Sequence, residues 1–456
     1  MLDARRRGAC QDERDASGSA RLGRRHEVER GRAMRRLGPA LAERDFVLLW
    51  LALLGMGVSV QMLEVAIGWE VYSDHNSALD LGWIGLAEFI PMFVLALPAG
   101  HLADRFPRRL VFGCSLLLSA AVAVGLVLVS SAGVTSVLPF LALALGAGTA
   151  MAIGTPAARA MPPTLVGSDL LENAMTLRGV AVQGAQVAGP ALGGLLYPIS
   201  PGVTYGVDAV MCLLAAGCVA AMRHSAATDA APALRTAPGL ASVLAGVRFV
   251  RHTQILFGAI LLDLMAVLFG GAVALLPLFA RSILHVGPTG LGVLRSAPAV
   301  GALLGAAALT RWPLGGRAGR KLLVVVGAFG ASIVVFGLSH SFALSLVALA
   351  VSGFVDMFSM NIRSTTVALA TPDHLRGRVL AVEMVFISAS NQLGAFESGM
   401  AAFLLGAVPA VVAGGALTIV IALSWSRLFP ALAGVDRLRD LRPAEELPGE
   451  ALESVA

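Results

Sequence analysis

A chain of 456 residues that is 57% hydrophobic and only 14% charged stands well apart from soluble proteins, in which about a quarter of residues carry charge. The polar stretches between its apolar runs are mostly too short to hold a soluble catalytic domain. The net charge of +5 comes without a basic and aromatic platform, so a nucleic-acid surface is not expected either. What remains is a multi-pass, all-α membrane protein.

Residues 1–44 are rich in Arg, Asp, Glu, Gly and Ala with no periodic apolar face, which reads as a disordered basic tail. Twelve apolar runs of about the length that crosses a bilayer follow. They lie near 46–72, 82–101, 109–131, 136–158, 172–197, 203–222, 255–280, 289–309, 321–339, 342–363, 379–405 and 407–429. An even number puts both termini on one side. The basic residues crowd the N-terminus and the even-numbered loops, as in Arg105, Arg108, Arg109, Arg223, Arg235, Arg317 and Lys321, whereas the odd-numbered loops hold only Arg281. The positive-inside rule therefore sets both termini in the cytoplasm.

The long loop at 223–254 divides the spans into bundles at 45–222 and 255–430, with a cytoplasmic tail at 431–456. The later part of that loop, GLASVLAGVRFVRHTQIL, has the pattern of an amphipathic helix lying on the inner membrane surface. The two bundles carry a weak repeat. An offset of 204 carries Arg159, Asp169 and Leu171 onto Arg363, Asp373 and Leu375, and sets GPALGG at 189–194 against LGAFES at 393–398. Duplicated bundles suit a machine that rocks one half against the other around a shared site.

Two short elements stand out. Between the second and third spans lies GHLADRFPRR, Gly100 to Arg109. Gly100 permits close approach of helix ends, Asp104 suits a helix N-terminus, and Arg105, Arg108 and Arg109 suit Asp104 or anionic headgroups as partners. Within the fifth span, Gly189, Pro190, Gly193 and Gly194 combine a helix kink with room for close packing.

Ionisable groups inside a bilayer cost about 2.5 kcal/mol or more each on insertion scales, so each is a functional candidate. In the first span Gly57, Gln61, Glu64 and Gly68 share a face. In the eleventh, Glu383, Ile387, Ser390, Asn391, Gly394, Glu397 and Ser398 share one, with Gln392 opposite. The expected proton or substrate cavity is drawn from Gln61, Glu64, Glu88, Asp263, Asn391 and Glu397, with Glu64 and Glu397 foremost. For each, a structural ion pair is the competing role. Asp356 has Arg363 as a candidate partner, Arg159 and Arg363 suit snorkelling at the inner boundary, and Asp208 suits a capping role.

GHLADRFPRR resembles the loop signature of the major facilitator superfamily, G-x-L-x-D-R-x-G-R-[RK], with Pro107 in place of its second Gly. That resemblance implies twelve helices in two six-helix bundles, and a conformational latch in which Asp104 and Arg108 engage the start of the eleventh span near Arg376, Gly377 and Arg378. The Gly189–Pro190 element resembles that of the superfamily's antiporters and exporters. TPDHLRGRVLAVEMVFISASNQLGAFESG at 371–399 is similar to the branch that contains the bacterial enterobactin exporter.

The implied activity is export of a small molecule, siderophore-like, drug-like or amphipathic, across a bacterial cytoplasmic (inner) membrane in exchange for protons. Uptake or lipid flipping by the same fold is the alternative, and a membrane sensor a remote one. No nucleotide-binding or hydrolase motif is present, and Cys10, Cys114, Cys212 and Cys218 have no metal-type spacing. A monomer without metal, cofactor or enzymatic activity is expected.

Overall fold

The computed structural model describes residues 38–223, 240–312 and 315–441. Among them the chain is helical, with no strand. The first half contains α1 (Arg44–His75), α2 (Ala78–Val94), α3 (Ala96–Arg105), α4 (Arg108–Ser131), α5 (Val137–Ala160), α6 (Ser168–Leu196) and α7 (Pro201–Ala220). The second contains α8 (Leu240–His252), α9 (Gln254–Gly270), α10 (Gly287–Arg311), α11 (Ala318–Leu338), α12 (Phe342–Ala370), α13 (Asp373–Leu405) and α14 (Ala407–Leu428). Helices satisfy every backbone group within one segment, which an apolar solvent demands.

Ten helical segments among the described residues are long and apolar enough to cross a membrane, α9 being counted with the short turns that extend it to Ile283. Two expected spans fall outside that set for identifiable reasons. The one at 82–101 is broken, because α2 carries Pro91 internally and stops at Leu95, after which α3 begins. The one at 172–197 is a continuous helix, α6, but Gln183, Gln186 and its glycines dilute its apolar character.

Local signals explain several boundaries. α1 ends on Asn76 in the left-handed conformation, φ 52°, a frequent C-terminal stop. The Ser77 hydroxyl then accepts the Asp80 backbone N–H at 3.3 Å and caps α2. Pro107 is the N-cap of α4, so the expected charged loop shrinks to Phe106 and Pro107 between two helices.

Within the first half α1 packs on α6 and α7, and α4 on α5 and α7; within the second, α10 packs on α12 and α11 on α12 and α14. Small residues set the closest approaches. A Cβ on Gly301 of α10 would lie 1.8 Å from the Ala350 carbonyl oxygen of α12, and one on Gly353 of α12 would lie 1.9 Å from that of Pro298. Large apolar side chains such as Phe93, Leu128, Leu214, Val324 and Leu423 point outward and are mostly exposed. In water such a surface is a liability; against acyl chains it is the expected exterior.

The ends of the bundles are more ordered than a disordered tail implies. Ala40 N–H bonds Asn173 Oδ1 at 3.1 Å, and a Cβ on Gly38 would meet Leu177 at 3.1 Å. At the other end Leu432 is buried, and Arg317 N–H donates to Asp436 Oδ1 at 2.7 Å. These contacts fasten residues 38–43 to α6 and residues 432–436 to the start of α11. Residues 1–37 and 442–456 of the two expected tails, and residues 224–239 of the linker, lie outside the described residues. The amphipathic linker helix is present as α8, seated on α13, with Gly246 against the Arg378 carbonyl.

Candidate functional site

The halves meet along two seams, α6 on α10 and α2 on α13. Both are built from glycine. A Cβ on Gly292 of α10 would lie 2.4 Å from the Pro190 carbonyl oxygen and 2.9 Å from Gly194 Cα; one on Gly194 would lie 2.6 Å from the Pro288 oxygen. In the second seam, a Cβ on Gly399 would lie 2.8 Å from both the Ala78 oxygen and Gly82 Cα. Trp83 and Phe396 stack edge to face across it, with centroids 5.2 Å apart. Thr289 Oγ1 donates to the Gly194 carbonyl at 3.0 Å, Ser296 Oγ to that of Val187 at 2.9 Å, and Tyr72 and Ser282 hydroxyls bond at 2.9 Å. The contacts gather toward the end of the molecule where α1 hands over to α2.

The Gly-Pro element thus works on two fronts. Gly194 and Pro190 face the other half, while Gly189 and Gly193 let α1 approach: their Cβ atoms would lie 2.5 Å from Gln61 Cβ and 2.9 Å from the Met62 oxygen. Gln61 is therefore a packing residue against α6. Gly57 and Gly68, on the same face of α1, oppose Ala185 and Pro277.

Between the seams lies, among the described residues, one cross-half ion pair. Glu64 Oε2 of α1 accepts from Arg295 Nη2 of α10, with side chains 25% and 14% exposed. Glu64 also lines a cavity with Glu88 of α2, Ser59 and Met56 of α1, Ser115 of α4 and Gln392 of α13. The cavity holds about 40 Å³, room for a few waters and far below the several hundred Å³ of a pocket for a drug-sized solute. Two carboxylates thus line a cavity whose guanidinium neighbour, Arg295, is bonded to Glu64.

Not all expected cavity residues meet there. Asn391 turns back to the Ile387 carbonyl at 2.8 Å and, like the half-buried Glu397, is not in the cavity wall. On the expected polar face of the eleventh span, Gly394 and Ser398 are turned to α9 instead: Gly394 closes on the Leu268 backbone, and Ser398 Oγ donates to the Gly271 carbonyl at 3.1 Å. Gln392, on the opposite face, is the α13 residue in the wall of the cavity that holds Glu64 and Glu88.

Asp263 belongs to a separate site. It is ion-paired with Arg363 of α12, both under a tenth exposed. The snorkelling expected of Arg363 is therefore corrected, as is its pairing with Asp356. Asp356 and Glu383 stand within electrostatic reach of this pair without displacing Asp263. Nor does Asp208 cap a helix. It lies well inside α7, fully buried.

The loop residues are held within the first half. Arg108 Nη1 donates to the Ala160 carbonyl at 3.1 Å, at the end of α5; Arg109 donates to the Met222 carbonyl at 2.6 Å and to that of Ala220, at the end of α7. Cations at helix C-termini are favourable there. Arg105 is exposed, and a Cβ on Gly100 would meet nothing within 4 Å, so no close approach explains that glycine. The Asp104 side chain lies outside the described residues. At the start of α13, Arg376 pairs with Asp373 at 2.6 Å.

Sequence reasoning passed over Arg295, Glu70 and Arg178. The signal was available: each is an ionisable residue inside an apolar run.

Fold and relatives agree on the class of protein. Solved structures with similar backbones include the nucleoside transporter NupG (TM-score 0.66, 13% identity, 84% of this chain and 99% of that one). Another is a bacterial homologue of the human lysosomal transporter Spinster (TM-score 0.65, 14% identity, 86% and 98%). At such identity they show the fold, that of major facilitator transporters. The family model for transmembrane secretion effectors matches residues 37–454, and the chain belongs to that family of the major facilitator superfamily. Among its relatives, the multidrug efflux pump Tap of Mycolicibacterium fortuitum is 30% identical over 410 residues, 87% of this chain and 96% of Tap. The enterobactin exporter EntS of Citrobacter koseri is 28% identical over 369 residues, 80% and 86%.

Proposed function

We propose that this chain is a proton-coupled exporter of a small amphipathic or siderophore-like molecule in a bacterial cytoplasmic membrane, working as a monomer by alternating access. The observation that carries this reading is the Glu64–Arg295 pair, which joins the halves beside a second carboxylate, Glu88, at one cavity. With both termini cytoplasmic, as the basic loops indicate, the glycine seams lie at the outer end and the described state is closed to the outside. Efflux by Tap and EntS supports the outward direction.

In this scheme the ion pair locks the empty, deprotonated state. Glu64 holds Arg295 and keeps the outer seam shut, so that the halves do not rock without cargo. A neutral or cationic substrate entering from the cytoplasm competes for the carboxylates, frees Arg295 and lets the seam part. The small cavity of the closed state then widens. After substrate leaves, a proton from outside neutralises Glu88, the carboxylate without a partner, so that Glu64 re-forms its pair with Arg295 and the seam closes; the proton then departs to the cytoplasm. The energy comes from the proton gradient, because two carboxylates against one guanidinium oppose closure until one of them is neutralised.

The test begins with metabolite profiles of culture supernatants with and without the gene, to identify an exported compound. Energised inside-out vesicles containing the protein should accumulate that compound, and an uncoupler should abolish accumulation. Accumulation indifferent to the proton gradient would overturn the antiport reading; movement in the opposite direction would replace export by uptake.

A further inference from the structure

A polar seam runs between α1 and α7, meeting the substrate cavity at Ser59 and unused by the mechanism above. On α7, Tyr205, Asp208 and Cys212 follow one another at helical spacing on one face. On α1, Ser59 and Glu70 lie opposite. At one end of the seam Ser59 Oγ and Cys212 Sγ are 3.2 Å apart; at the other the Tyr205 hydroxyl donates to Glu70 Oε2 at 2.5 Å. All five residues are buried, at 7% exposure or less.

Asp208, in the middle, is the anomaly. It is 0% exposed, and neither of its carboxyl oxygens has a hydrogen-bond partner among the described residues. Its polar neighbours are the Ser59 hydroxyl, which also contacts Cys212 with either group able to donate, together with the Cys212 thiol and the Tyr205 ring. The charged groups on the helices packed around it are remote or engaged. Glu70 of α1 accepts from Tyr205 and Glu64 is bonded to Arg295, while Arg108 and Arg109 of α4 hold helix ends at the far side of the bundle. An ionised carboxylate with no counter-charge in a dry interior costs several kcal/mol unless a hydroxyl turns to donate to it, and Ser59 is the hydroxyl at hand.

We infer that Asp208 is a second proton-carrying carboxyl of the transporter, exchanging its proton with the substrate cavity through the Ser59 hydroxyl, which lies in the wall of both. The transfer is a relay. The Asp208 O–H proton passes to the Ser59 oxygen while the Ser59 hydroxyl proton passes to a carboxylate of Glu64 or Glu88. One O–H bond breaks as another forms at each step, and one proton in total moves. The route runs backwards for reloading. Asp208 thereby stores a proton beyond the reach of substrate, so that cargo and proton need not compete for every carboxyl. This inference rests on the proton-coupled reading but is tested apart from transport.

The experiment uses the full chain reconstituted in lipid and infrared spectroscopy, with protons and deuterons as the probe. The wild-type protein should show the C=O stretch of a dry, protonated carboxyl at neutral pH. Asp208→Asn should remove it, whereas Glu64→Gln and Glu88→Gln should leave it. A band of unchanged intensity in Asp208→Asn would overturn the assignment. If Asp208→Asn does not fold, Ser59→Ala carries the test: the band should persist but exchange with deuterium roughly tenfold more slowly, the scale of losing one hydrogen-bonding step. Exchange at the wild-type rate would remove the relay. Proton-independent transport would sink the antiport reading without touching the band.

Discussion

The two halves place related residues in opposite electrostatic situations. Arg159 and Arg363 are separated by the 204-residue offset of the internal repeat, yet Arg159 is exposed while Arg363 is buried against Asp263. The same offset carries Asp263 onto Ser59. Where the second half has a carboxylate that closes the pair, the first half has a hydroxyl in the wall of a cavity. The first half then finds its own cation across the interface, Arg295 for Glu64. The Asp263–Arg363 pair is a strut closed within one half; the Glu64–Arg295 pair is completed only by contact between the halves. A charge pair inside a rigid body adds fold stability or specificity, whereas one between moving bodies selects a conformation.

That contrast predicts the largest effect within the second half. Asp263→Asn leaves the Arg363 guanidinium buried without its counter-ion and should destabilise the protein by about 3–5 kcal/mol. Thermal unfolding in detergent should show a lower Tm. Replacing both partners, Asp263→Asn with Arg363→Met, should recover most of the loss, because a buried pair can be exchanged for apolar contacts at little net cost. A double variant as unstable as the single one would mean that Arg363 is held by Asp356 or Glu383 and that the pair is not a closed strut.

Glu64→Gln should act differently. The pair is partly exposed and spans two bodies, so its loss should fall on the conformational equilibrium, by about 2 kcal/mol, more than on folding. A thiol introduced as Ser296→Cys, in a background without the native cysteines, reports the seam because Ser296 is buried and bonds the Val187 carbonyl across the halves. Adding Glu64→Gln should speed its labelling by a membrane-impermeant reagent at least about tenfold, as that energy requires, and transport should fall. Unchanged labelling would show that the pair does not hold the halves together.

A smaller effect is expected at the seam itself. Gly292→Ala puts a methyl group 2.4 Å from the Pro190 carbonyl oxygen. Overpacking of this kind costs about 1–3 kcal/mol, here borne by the closed state alone. Ala at Gly206, where a Cβ meets nothing within 4 Å, is the matched control. Faster Ser296→Cys labelling in the first and not in the second confirms that α6 and α10 form the seam.

Much of this was legible in the residues. Apolar run lengths marked nearly all the helices, because span length follows from bilayer thickness, and Gly189 to Gly194 announced close packing. The failures have a common physical origin. A helical wheel orders the faces of one helix but does not say which neighbour each face meets. Hence Gly394 and Ser398, on the face of α13 expected to line the cavity, pack on α9, while Gln392 opposite stands in the cavity wall. Arg295 escaped for the same reason: nothing near it in the chain needs a cation, and its partner is 231 residues away. The loop at Gly100 to Arg109 shows the complementary limit. Its charges were conspicuous, but Arg108 and Arg109 are spent on carbonyls at the ends of α5 and α7, groups that every helix has and no sequence pattern advertises.

The mildest test isolates one polar contact between the halves. Tyr72→Phe removes the hydroxyl that meets Ser282 at 2.9 Å and leaves the ring, which is 4% exposed, in place. A single hydrogen bond contributes about 0.5–1.5 kcal/mol net, so the closed state should lose a factor of roughly two to ten in population with no change in folding stability of either half. Transport rate, limited in this scheme by parting of the outer seam, should rise or hold, while proton movement without cargo should increase. If leak and labelling both stay at wild-type values in Tyr72→Phe but rise in Glu64→Gln, the ion pair alone sets the closed state. If the two rise together in proportion to their energies, the seam opens as one cooperative surface, in which charge, glycine packing and hydroxyl contact are interchangeable contributors.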